Sequence, residues 1–235
     1  MAPIVSEEYK RKKKKEILDS ALFCFAKKGF QVATIDDIVA HSKISKGAIY
    51  NYFKSKEEIY LELINEETTS MNQRLTEKIA TFKTALEKLQ YLFDLYSSSN
   101  PADPEQVDSV VVHYEFRLFA VRDSRLQELL KDRSNSFFIE FISTILEEGK
   151  ASGEFKSDID SLVTANLFWA IVDGATFQGI ANKDFPYRKV IERTRNMTLH
   201  TILANNHGEG QAFSDISEEG ENVDLFMNRI YLSLI

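Results

Sequence analysis

Residues 34–56 read Thr34-Ile35-Asp36-Asp37-Ile38-Val39-Ala40-His41-Ser42-Lys43-Ile44-Ser45-Lys46-Gly47-Ala48-Ile49-Tyr50-Asn51-Tyr52-Phe53-Lys54-Ser55-Lys56, and their pattern decides the fold. Thr34 is a good N-cap, and Asp37 three positions on completes an approximate capping box. Ile35, Ile38 and Val39 recur at the spacing of one helical face. His41 to Ile44 breaks that period. Ser45 then caps a second helix whose Ile49 and Phe53, at i and i+4, share an inward side. Ser55 opens a third helix with Glu58 at its capping-box position. Two short helices set at an angle by a turn of about 3–4 residues form a helix-turn-helix.

The polar face of the second helix suits a DNA groove. Lys46, Gly47, Ala48, Tyr50, Asn51 and Tyr52 lie on its outer side and N-terminal end. That end offers free backbone N–H groups and a positive dipole to a phosphate. A glycine inside a helix costs about 1 kcal/mol relative to alanine. Gly47 is intelligible if a side chain there would hold the helix off the groove floor. The Tyr50 and Tyr52 hydroxyls suit phosphate oxygens, while Lys46 and Asn51 can reach phosphates or base edges. A surface helix with two incidental tyrosines would require none of the caps, the short turn or the glycine.

Thr34 to Lys56, and above all Ser45 to Lys56, resembles the DNA-binding signature of the tetracycline-repressor (TetR) family. The close match runs from Ile17 to about Leu63. The resemblance implies an all-α chain: a three-helix DNA-binding head followed by a helical effector-binding and dimerising bundle. Its implied DNA contacts are Thr34, Lys43, Ser45, Lys46, Gly47, Ala48, Tyr50, Asn51 and Tyr52, with Lys56 as a further phosphate contact. The family usually has glycine in the turn where this chain has Lys43. A non-glycine residue there must adopt a strained left-handed conformation, or it adds a phosphate contact.

Composition agrees. The 235 residues, 43% apolar and 28% charged, suit a globular protein with a sizeable core. Nine Gly, four Pro and few alternating runs favour helices. The single cysteine, Cys24, lies between Phe23 and Phe25 and reads as a small buried apolar residue. Met1 to Lys15 has no signal-peptide core, and the longest apolar run, Leu167 to Val172, cannot span a bilayer, so a cytoplasmic protein without membrane attachment is expected. Residues 1–56 hold twelve basic and six acidic side chains. They carry +6 of a total of −7, leaving −13 to the rest. A basic head on an acidic body fits a nucleic-acid reader.

In chain order, residues 1–9 are expected to be disordered, with the head at 10–62. The run Lys10 to Lys15 opens the first helix and lies beside the reader, where it suits the DNA backbone. Gly29 ends that helix. The fourth helix runs from Lys56 past Met71, towards Phe82, without a glycine or proline. Body helices are predicted near 84–96, 105–121, 124 to about 149–153, 158–181 and 187–205, forming an antiparallel bundle over 63–205. Leu162, Ala165, Phe168, Val172 and Ala175, facing Leu199 and Ile202, are the candidate dimer interface. A homodimer would present two recognition helices about 34–36 Å apart to a palindromic operator on double-stranded DNA.

Aromatic residues crowd the body. Phe93, Tyr96, Tyr114, Phe119, Phe138, Phe141 and Trp169, with Asp173, are candidates to line a cavity for a largely apolar small effector. Asp173 and Glu115 are candidates to orient a polar or cationic headgroup. Residues 206–235 read as an acidic linker followed by a short amphipathic segment. The four histidines are scattered, with no metal-ligand spacing, and there is neither a phosphate-binding Gly loop nor a nucleophile elbow. No metal, cofactor or catalytic site is therefore expected. The sequence is read as a homodimeric repressor released from its operator by a small molecule. The rival readings are an architectural DNA binder and, below that, an enzyme with an accessory DNA-binding head.

Overall fold

The computed structural model describes residues 6–104 and 107–204, so the segment 206–235 lies outside the described residues. The chain forms α1 (Glu7–Lys28), α2 (Ile35–Ser42), α3 (Lys46–Tyr50), α4 (Lys56–Ile79), α5 (Ala85–Ser97) and α6 (Val107–Ala120). α7 (Ser124–Ser134), α8 (Glu140–Ser152), α9 (Ser161–Ala181) and α10 (Tyr187–Ile202) follow. Between α7 and α8 the helix does not stop; it widens into a π turn over Asn135–Ile139. The sequence reading missed that turn.

The first helix starts earlier than the expected disorder of residues 1–9 allowed. Ser6 accepts the Tyr9 N–H at 3.2 Å, and Glu7 and Glu8 occupy the first turn, where the helix dipole favours acids. Thr34 and Asp37 form the full reciprocal capping box, as do Thr84 and Glu87 at the start of α5. Asp160 accepts the Val163 N–H, so α9 begins at Ser161 rather than at 158.

Two apolar cores lie end to end. The head core gathers Ile17, Phe25, Phe30, Ile38, Ile49, Phe53, Ile59 and Tyr60. The body core gathers Leu89, Phe93, Tyr96, Ile142, Leu146, Phe168, Val172 and Ile191. α4 belongs to both: Ile59 to Ile64 pack in the head, and Met71, Leu75 and Ile79 in the body. At 1.5 Å per residue it is a strut roughly 36 Å long. α6 also crosses the expected boundary, because its Val112, Phe116 and Ala120 complete the head core.

Two expectations fail on burial. Ala165, Phe168, Val172 and Ala175 of α9, and Leu199 and Ile202 of α10, are all under 5% exposed within one subunit. They build the body core and cannot be the dimer face. Of the candidate interface residues only Leu162 is exposed, at 60%. Phe119 packs on Phe30 in the head, with centroids 5.4 Å apart, and does not line a body cavity.

Candidate nucleic-acid interface and effector cleft

α3 is held by its inward face. Ile49 and Phe53 are buried against the head core, and Ser45 accepts the Ala48 N–H at 3.3 Å. That leaves Lys46, Gly47, Ala48, Tyr50 and Asn51 on the outer side, with Tyr50 47% exposed. A Cβ added at Gly47 meets no atom within 4 Å. Nothing inside the subunit therefore requires glycine there. Tyr52 is half-buried against the head core, and its hydroxyl sits within electrostatic reach of Lys10 and Lys13 at the start of α1. The basic run and α3 thus share one face of the head.

The turn between α2 and α3 is left-handed at Lys43, with φ 60° and ψ 15°. Its backbone N–H reaches Val39 O at 3.0 Å, and its Nζ reaches Ala40 O at 2.7 Å. Around the face, Lys46 pairs with Asp36 at 2.8 Å, Lys28 with Asp37 at 2.5 Å and Lys14 with Glu62. Ion pairs at the surface are weak and screened by solvent, so these exchange readily for phosphates.

Lys56 is otherwise employed. Its Nζ donates to the carbonyls of Phe30, Gln31 and Ala33 at 2.8, 2.9 and 3.1 Å, and it lies over the Phe30 ring. Three ammonium protons satisfy three carbonyls. This corrects its expected role: Lys56 ties the α1–α2 loop to α4 and has no proton left for a phosphate.

In the body, a cleft of about 390 Å³ opens between α6, α7, the π turn and α9. Phe138, Trp169 and Asp173, among the sequence candidates, line it. A neighbouring cleft of about 560 Å³ holds Tyr114, and the two share Arg117, Leu130, Lys131 and Asp173. Phe93 and Tyr96 are corrected to core residues, packed on Phe168 at 4.9 and 5.7 Å. Phe141 packs against the same core outside both clefts. Glu115 points to the head instead, where it accepts the Phe30 N–H at 2.6 Å.

Of the cleft's polar groups the sequence reading named Tyr114 and Asp173 but not Arg117, Lys131 or Arg133. Arg117 pairs with Asp173 at 2.7 Å, and the same carboxylate accepts the Tyr114 hydroxyl at 3.1 Å. Burial, helped by that carboxylate, pushes the Tyr114 hydroxyl's pKa up. On the floor, Arg133 donates to Thr68 of α4 and lies over Phe138, while His113 Nδ1 meets the Tyr60 hydroxyl of α4 at 3.2 Å. The signal for these three was the basic character of 117, 131 and 133, which lie on two different helices and so share no local pattern.

An exposed helix-turn-helix with a glycine-floored outer face, joined by a continuous strut to a body with an open cleft, is the build of a ligand-responsive DNA-binding regulator. Residues 17–63 match the bacterial regulatory proteins of the tetR family, and residues 53–201 match the C-terminal region of YsiA-like proteins. The uncharacterized HTH-type transcriptional regulator YfiR of Bacillus subtilis (strain 168) is 30% identical over 176 residues, 74% of this chain and 83% of that protein. A transcriptional regulator of Saccharomonospora viridis, solved in complex with choline, superposes with a TM-score of 0.68 at 21% identity, covering 83% of this chain and 99% of that one. FadR of Bacillus subtilis, solved with stearoyl-CoA, gives 0.64 at 23% identity over 79% and 97%. The chain belongs to the tetR family of transcriptional regulators. Among the described residues no helix is long and apolar enough to cross a membrane.

Proposed function

We propose that the chain is a homodimeric repressor whose two α3 helices enter successive major grooves of a palindromic operator, and which a small molecule in the α6–α9 cleft releases. The observation that carries the reading is Gly47, a glycine in a helix with open space around it and no internal reason to be one. Lys43, Lys46, Tyr50 and the start of α1 supply phosphate contacts, and Thr34 and Ser45 hold the two caps. Gly47→Leu should still fold, because a Cβ there has open space around it and leucine favours a helix over glycine, yet it should abolish specific binding by standoff. Tyr50→Phe weakens binding to every sequence alike. Fluorescence anisotropy with operator and scrambled duplexes checks both; unchanged operator affinity in Gly47→Leu would remove α3 from the groove.

For the dimer, α9 offers a second stripe. Val163, Leu167, Ala170, Gly174 and Phe177 are exposed and alternate by four and three residues along one face. Leu167 is 53% and Phe177 50% exposed, and Met197 of α10 is 60%. Two copies joined across this stripe would form a four-helix interface with close backbone approach at Ala170 and Gly174.

A further inference from the structure

Taking the α6–α9 cleft as the effector site, we infer that it takes a small apolar carboxylic acid, its anionic group held between Arg117 and Arg133 and its apolar body against Phe138 and Ile139. The wall is rich in groups that can only donate. Arg117, Lys131 and Arg133 carry no acceptor, and neither does the indole of Trp169. The Trp169 Nε1 is buried with no hydrogen-bond partner in the subunit.

Carboxylates are present, but they are committed. Asp173 Oδ1 already accepts from Arg117 and from Tyr114. Glu128 pairs with Lys131 at 3.1 Å where both are 63% exposed, so the pair is screened by solvent. Glu67 acts on Arg133 from the α4 side. Arg117 lies close enough to act on the Arg133 charge. Burial first, and then the nearby Arg117, push the Arg133 guanidinium down to about 10, against the pull of Tyr60 and Glu67. An anion between them relieves that repulsion, whereas a cation would add to it.

The π turn is an independent sign of a built site. Such turns are rare and cluster at functional positions, because they leave backbone groups mismatched and re-aim side chains. Here the turn presents Phe138 and Ile139 to the cleft, and Asn72 of α4 donates to the Phe137 carbonyl at 3.3 Å. The cleft is deepest at Arg133 and Phe138, which are buried, and opens past Lys131 and Asn166, which are exposed. Its volume lies within the range of roughly 300–1,000 Å³ usual for small-molecule sites.

Three ligands of equal chain length separate the alternatives: octanoate, octan-1-ol and octyltrimethylammonium. Each is titrated into the full-length protein while the emission of Trp169, the single tryptophan, is followed. Octanoate should bind tighter than octan-1-ol by roughly tenfold or more, the worth of a charge-assisted hydrogen bond. The ammonium should bind weakest. Arg117→Gln should remove most of octanoate's advantage while leaving octan-1-ol binding as it was, and Lys131→Gln, at the exposed mouth, should change octanoate binding far less. Equal affinities, tighter ammonium binding or no saturable octanoate binding would each overturn the inference. Operator affinity without ligand is measured separately. Operator binding with no octanoate preference sinks this inference alone; octanoate preference without operator binding sinks the regulator reading instead.

Discussion

Lys43 is, among the described residues, the non-glycine residue with positive φ, and it sits in the turn that sets α3 against α2. The left-handed conformation costs an L-residue about 1–2 kcal/mol that glycine escapes. Compared with each other, Lys43→Gly should therefore be more stable than Lys43→Ala by about 1 kcal/mol, the reverse of their helix propensities. Thermal unfolding of the two variants checks this, since both lose the same ammonium and its bond to Ala40. If alanine proves the better residue, the turn is not left-handed in solution. Retaining a lysine at such a cost is intelligible if its charge serves DNA. Lys56 shows the opposite case. A basic residue at the start of a helix beside the reader suggested phosphate, but its proton acceptors come from a loop 23 to 26 residues earlier. No local pattern contains that information. Replacing it by methionine leaves three carbonyls short of a donor and should destabilise the head by about 1–3 kcal/mol, without changing the salt dependence of DNA binding. A reduced salt slope with unchanged stability would restore the phosphate contact.

At the scale of the element, what could be read from the sequence was local. The caps at Thr34, Ser45 and Ser55 act on N–H groups three residues away, so four residues suffice to see them. The inward face of α3 was legible from Ile49 and Phe53 for the same reason. α9 was not, because it is apolar all round: Phe168 and Val172 face the core while Leu167 and Phe177 face out, and periodicity cannot say which stripe meets which neighbour. The cleft was hidden more deeply, since its wall assembles from α6, α7 and α9, whose meeting is a tertiary event. The choice of stripe is testable. Leu167→Glu adds a charge at a half-exposed position and should change the stability of the subunit by no more than about 0.5 kcal/mol, yet dissociate the dimer. Ala175→Arg buries a charge in the core and should unfold the subunit altogether. Sedimentation and circular dichroism together discriminate: a folded dimer of Leu167→Glu removes the outer stripe from the interface.

In the whole molecule, the cleft and the reader are joined by short polar links on a rigid strut. α4 carries Tyr60 and Thr68, and these meet His113 and Arg133 on the cleft floor. The same α6 that bears His113 also holds the α1–α2 loop through Glu115 and the Phe30 N–H. Gly29 allows that approach, because a Cβ there would lie 2.9 Å from the Glu115 carboxylate. A ligand that draws Arg133 towards its own oxygen therefore pulls on α4 near its middle, and α4 ends at the helix-turn-helix. In the proposed dimer both recognition helices must meet grooves about one turn apart, so a small tilt is enough to disfavour the operator. A ligand that prefers the tilted state by about 1–3 kcal/mol weakens operator binding roughly 5–150-fold, and operator must weaken ligand binding by the same factor. With octanoate as ligand, titration of Trp169 emission with and without operator duplex should give two affinities whose ratio equals the ratio of operator affinities with and without octanoate. Tyr60→Phe keeps the ring in its pocket and removes the hydrogen bond to His113. It should bring both ratios towards one together while leaving octanoate binding to the free protein unchanged. If octanoate still occupies the cleft and the wild-type ratio is already one, the strut transmits nothing and α4 is only a scaffold.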